Sequence, residues 1–247
     1  MGLFDTQFNQ INGHLEALQT KPSLIQACHL ESLAWPESTS RDLIMGMDTA
    51  VEMGHPKVGS MAFLIWIDEP ARIINRRMTL IGPDLADITS RQIPFGKIVL
   101  LGVRDLSPDN CEEQYRRMEN VRFDLRLRGY MLRGVSQYGR EWSRVSRTAI
   151  RDGFSFSVLG AALMDRYLAL EFVDSVEIIF FTAGLNVMRP FMPLADQALK
   201  IIAAMNKMVA DTIHDCDTCA YSDVCSEVAD LQAMRCLMQV KGSAGNA

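Results

Sequence analysis

The sequence has no long apolar run: its longest, "KIVLLGV" at 97–103 and "SVEIIFF" at 175–181, are strand-length and far too short to span a bilayer. The first residues, "MGLFDTQFNQ", lack a basic n-region and an apolar h-region, so no secretory signal is read there. Gly2 and Thr6 do fit the loose M-G-x-x-x-[ST] pattern of N-myristoylation. There is no excess of positive charge: the formal net charge is -5, which gives no reason to expect nucleic acid or an acidic membrane as partner. No internal repeat and no low-complexity linker stand out. Six cysteines without an export signal point to a reducing cytoplasm, where clustered thiols serve as metal ligands or redox groups more often than as structural disulfides.

What is present is enough for a real core, since 247 residues bury substantial apolar area. Residues 3–19 carry Leu3, Phe4, Phe8, Ile11, Leu15 and Leu18 at helical spacing, and a second helix is expected over 23–34, closed by Pro36. The pattern then changes to strands: "TAVEM", "SMAFLIWI", "RMTLIGPD" and "GKIVLLGV". A helix is predicted from Pro108, with Asp109 as N-cap and Glu112 and Glu113 in its first turn. Residues 142–151 and 156–170 read as two helices split at Gly153, followed by the strand "SVEIIFFTA". After Pro193 comes a long helix whose Leu194, Ala198, Ile201, Met205, Met208 and Ile213 face the core. Strands and helices at irregular spacing predict an α+β fold, a mixed sheet packed against helices. The expected divisions are a helical extension over 1–47, the α+β domain over 48–213, and a cysteine-rich metal-binding segment with a tail over 214–247.

That last segment holds "DCDTCAYSDVC" at 215–225, and Cys236 beyond it. Cys216 and Cys219, in a C-x2-C turn, can reach one ion or one corner of a cluster, and Cys225 can supply a third thiolate. A single C-x2-C followed by isolated cysteines is closer to iron–sulfur spacing than to the repeated C-x2-C of paired zinc knuckles, but zinc and unligated thiols stay open. Were 225–236 one unbroken helix, the two α-carbons would stand roughly 16 Å apart at 1.5 Å per residue. Either the segment bends, although "SEVADLQAMR" has no Gly or Pro, or Cys236 is not a ligand and Cys28, Cys111 or a non-protein group completes the set. His214, Asp215, Asp217 and Asp223 read as solvated or capping residues.

Ten arginines stand between 116 and 151, and no lysine among them. Choosing arginine throughout favours bidentate contact with carboxylate or phosphate, or stacking on flat groups. Arg133, Arg140, Arg144 and Arg147 are the candidate anion- or partner-binding residues, against the ordinary alternative of a solvated face with surface ion pairs. Tyr138 and Trp142 lie inside the stretch; Trp142 is expected mainly to pack in the core.

Several motifs, in order, resemble one family. "VEMG" at 51–54, "IGPDLADI" at 81–88, "PFGKIVLLGVRDL", "QYGREWSRVSRTAIRDGFSF" and "VDSVEIIFFT", then "DTIHDC", are similar to successive segments of acetyl-CoA synthase, the beta subunit of the CO dehydrogenase/acetyl-CoA synthase complex. The resemblance spans about 48–240 and corresponds to the middle domain plus the start of the cluster-binding domain. It implies that Cys216, Cys219, Cys225 and Cys236 hold a [4Fe–4S] cluster, the second of them bridging to nickel in the family. It also implies a corrinoid protein, a methyltransferase or a redox protein as partner, in anaerobic one-carbon metabolism. The family's Cys-Gly-Cys nickel motif does not occur in the sequence, and Arg133 and Gly134 stand where the family has an aromatic or histidine pair linked to coenzyme A binding. The chain is therefore not expected to complete acetyl-CoA synthesis alone; a scaffold stapled by zinc or a cluster is the alternative.

Overall fold

The computed structural model describes residues 2–20, 23–39, 42–210 and 219–244. Its first half runs α1 (Asp5–Gln19), β1 (Ile25–His29), β2 (Thr49–Met53), β3 (Ser60–Ile67), β4 (Arg77–Ile81), β5 (Gln92–Ile93), β6 (Phe95–Val103) and α2 (Cys111–Asp124). The second half is β7 (Tyr130–Ser136), β8 (Arg140–Ser146), α3 (Arg147–Arg151), α4 (Phe156–Leu168), β9 (Val173–Phe181), α5 (Leu185–Met188), α6 (Met192–Ala210), α7 (Ser222–Glu227) and α8 (Ala229–Ala244). The fold is α+β, with two mixed sheets.

The apolar runs of β6 and β9 pair antiparallel in the middle of a five-stranded sheet of order β1-β4-β9-β6-β3. Continuous apolar sequence suits them because both faces are covered. Phe180 and Phe181, being adjacent, point to opposite faces. Phe180 meets Phe156 of α4, and Phe181 packs on Phe191, just before α6. The helix α1 packs on β3 and α6, and Phe4, just before it, stands edge-on to Trp66 of β3.

Two helices of the sequence reading are corrected. Residues 25–29 are a strand, because their backbone pairs antiparallel with β4 from Ile25↔Ile81 to His29↔Arg77. Residues 140–146 are also a strand, and the helix starts only at Arg147, where the Ser146 side chain accepts from the Ala149 N–H as an N-cap. The break at Gly153 is real; its φ of +98° is ready for glycine. The helix predicted from Pro108 begins at Cys111, after Asn110 rather than Asp109.

The second sheet, β5-β2-β8-β7, docks on the free edge of β3. The Ala62 N–H donates to the Gly139 carbonyl at 2.6 Å. The Ser60 hydroxyl donates to the Glu141 carbonyl at 2.8 Å and accepts the Glu141 N–H, also at 2.8 Å. Inside this junction Lys97 Nζ of β6 stands 2.5 Å from Glu141 Oε2 of β8, with the two side chains 6% and 1% exposed. One charge of each sheet is thus buried against the other. Breaking a buried pair by removing one partner leaves an uncompensated charge. We expect Lys97→Met to cost about 3–5 kcal/mol in urea unfolding, and the double change Lys97→Met/Glu141→Leu to recover most of it. A single-variant loss below about 1 kcal/mol would show the pair does not join the sheets.

Candidate functional site

Along β8 the side chains alternate: Glu141, Ser143 and Val145 turn inward and are buried, while Arg140, Trp142, Arg144 and Ser146 turn to the other face. On that outer face the Arg133 guanidinium lies 4.6 Å from the Trp142 ring centroid and that of Arg144 lies 5.8 Å from it. His55 meets the indole edge-on, with ring centroids 5.0 Å apart. A cation over an indole face is attracted by the ring quadrupole. Trp142 is half-buried, with two guanidinium groups near its ring, and its indole N–H finds no acceptor among the described residues.

Arg144 is fixed rather than offered. It pairs with Glu52 of β2 at 2.6 Å and donates to the Ile44 carbonyl at 3.1 Å. Glu52 also accepts from Gln92 at 2.7 Å. Burial pushes the Glu52 carboxyl up, but the hydrogen bonds from Gln92 and Arg144 and the arginine's charge outweigh it and hold the group below the usual carboxylate range.

The structure brings Arg133 and Arg144 together at Trp142, with Arg140 two residues away on the same strand face. Arg147 lies beyond the other end of β8, in the first turn of α3. Arg133, Arg140 and Arg147 are exposed and have no ion pair among the described residues. Much of the rest of the arginine stretch is spent on ion pairs, exposed or half-buried. Arg116 bonds Glu112 and Arg122 bonds Glu119. Arg117 holds Glu171 through two bonds of 2.7 and 2.6 Å, which lower that carboxyl to about 2.

The cysteines are only partly within the described residues. Cys216, with His214, Asp215 and Asp217, lies outside them, as does Ile213. Cys219 is half-buried just before α7, Cys225 is buried within α7, and Cys236 is exposed on α8. Of the two alternatives for 225–236, the segment does bend: the chain leaves helical geometry at Val228, with φ -108° and ψ 107°, without Gly or Pro. Val224, Leu231 and Met234 are buried as α7 and α8 pack on each other and on α6. Even so, no group of three His, Cys, Asp or Glu able to hold an ion occurs among the described residues. Cys111 is buried, its thiol pushed up by burial, and Cys28 sits exposed on the edge strand β1; neither joins two other donors. The described residues alone do not assemble a metal site.

The family model of the CO dehydrogenase/acetyl-CoA synthase complex beta subunit matches residues 40–187. The chain belongs to that family. The match takes in every strand of the sheet that carries the arginine–tryptophan face and ends before the C-terminal cysteines, Cys216 to Cys236. No curated protein matches the sequence. No helix among the described residues is long and apolar enough to cross a membrane.

Sequence reasoning missed the groups that order the face: Glu52, Gln92 and His55. It also missed the Lys97–Glu141 pair, although a lone lysine at the head of "KIVLLGV" is a readable signal, since a charge entering a buried strand demands a partner.

Glu52 supplies a pH test. Its folded-state pKa is depressed, so its stabilisation is complete above the ordinary glutamate value of 4.5 and is lost as pH falls through the lower native value. Glu52→Gln should lower stability by about 2 kcal/mol at neutral pH, and this difference should shrink as unfolding is measured below pH 4.5. A pH-independent difference would mean that the carboxylate charge contributes nothing.

Proposed function

We propose that the chain is an iron–sulfur subunit or accessory redox factor of a CO dehydrogenase/acetyl-CoA synthase-type system, with Cys216, Cys219, Cys225 and Cys236 as ligands of a [4Fe–4S] cluster. The observation that carries this reading is the family match over 40–187, followed in sequence by the C-x2-C of Cys216 and Cys219. A cluster held there would supply one-electron transfer. The bend at Val228 turns α8 away from the axis of α7, which a single straight helix would not do. In this reading Arg133, with Trp142 and Arg140, receives an anionic or planar group of a protein partner, a corrinoid protein, methyltransferase or redox protein. Arg144 orients Trp142 while neutralised by Glu52. Arg147, at the other end of β8, adds positive charge to the approach.

One observation favours a second reading, a structural staple of zinc or a cluster. The segments carrying Cys225 and Cys236 pack their apolar residues on α6, so a metal there would pin the C-terminal helices to the core.

The test is made on protein prepared without oxygen. The wild type should show broad visible absorption that bleaches on reduction and a reduced-state EPR signal, and Cys219→Ser should lose or shift both while its circular dichroism stays native. A colourless wild type that unfolds when a chelator is added would favour the staple instead. Identical spectra for wild type and Cys219→Ser would contradict the cluster assignment.

A further inference from the structure

Residues 42–47 lie across the outer face of the four-stranded sheet and are held there at several points. The Asp42 carboxylate accepts the Gly129 N–H at 2.6 Å and the Ser38 hydroxyl at 2.9 Å. The Ile44 N–H meets the Met131 sulfur at 3.4 Å, and Ile44 itself is buried. Arg91 donates to the Gly46 carbonyl at 2.5 Å, and the Thr49 hydroxyl to that of Met45 at 2.9 Å. With Ile44 turned in, the alternate residues turn out: Leu43 is 76% exposed, Met45 55% and Met47 81%. A pinned backbone holding three large apolar side chains in water is a pre-ordered contact surface, which lowers the entropy lost on binding.

The charge around this ridge has one dominant sign. Arg91 reaches the ridge directly, Arg133 lines the same hollow of about 190 Å³ as Asp42 and Met131, and the backbone of Arg147 is tied to the end of the ridge, its main-chain N–H donating to the Asp48 carbonyl at 2.9 Å. None of these three arginines has an ion pair among the described residues. Of the acids nearby, Asp42 is spent on Gly129 and Ser38 and Glu52 on Arg144, which leaves Asp48 exposed beside Met47. Methionine and arginine are the side chains favoured at the centre of protein interfaces, methionine because it adapts its shape.

We infer that Leu43, Met45 and Met47, with Arg91, Arg133 and Arg147 around them, form a docking surface for an acidic protein segment that carries large apolar side chains. Apolar contact would give the affinity, and the arginines would select carboxylates and speed the encounter. This surface does not depend on what the cysteines bind.

The test selects a displayed library of random peptides against the full-length protein. The enriched peptides should combine Asp or Glu with Leu, Ile, Phe or Met. Their affinity should fall about tenfold for Met45→Gln/Met47→Gln and for Arg133→Glu/Arg147→Glu, and should fall as salt is raised. All four positions are exposed, so the variants should melt as the wild type does, and this is checked first. Enrichment of neutral or basic peptides, or binding unchanged in Met45→Gln/Met47→Gln, would overturn the inference. So would a dimer in light scattering that this variant abolishes, which would assign the ridge to a second copy. Variant-sensitive binding to phosphatidylserine vesicles without any acidic peptide would assign it to a lipid surface, and would overturn the inference as well.

Discussion

Lys97 and Glu141 come from different sheets and meet where neither can reach water. Each alone would be a buried charge of several kcal/mol, so neither sheet can hold its own residue in place without the other. The requirement fixes more than one contact. Glu141 must point inward, so its neighbours in β8, Arg140 and Trp142, must point outward. The Glu141 main chain is bonded to Ser60 of β3, and Gly54, whose φ is +69°, comes so close that a Cβ there would lie 2.1 Å from the Glu141 carbonyl oxygen. The arginine–tryptophan face is thus a consequence of where one buried acid is anchored.

The same acid explains what could not be read from the sequence. β3, β4, β6 and β9 are legible because their apolar runs are long and bounded, and α1, α4 and α6 because their apolar positions recur at helical spacing. In "REWSRVS" the inward positions are Glu141, Ser143 and Val145, so two of the three buried residues are polar and the expected alternation of apolar and polar is lost. Without that alternation the segment carries no strand signal, and its sequence reads as the start of the helix that follows. β1 fails differently: from Gln26 to His29 it is exposed, and only backbone pairing with β4 defines it. Edge strands of this kind carry little side-chain signal.

At the candidate site the abundance of arginine was legible, and its division of labour was not. Arg117 and Arg144 stand in the same stretch as Arg133 and Arg147, but their carboxylate partners, Glu171 and Glu52, lie 54 and 92 residues away in sequence. Only the fold brings such partners within reach. The family was legible from ordered motifs and is now shown over 40–187, a span that includes the whole of both sheets except β1. The metal chemistry rests on different ground, since Cys216 is outside the described residues and, among the described residues, Cys219, Cys225 and Cys236 belong to no group of three donors.

The central functional claim is that the C-terminal cysteines carry an iron–sulfur cluster. The most direct measurement is the iron, acid-labile sulfide, zinc and nickel content of protein purified without oxygen. The account predicts about four irons and four sulfides per chain. About one zinc and no iron would contradict it, and would leave the cysteines as a structural staple on a beta-subunit fold.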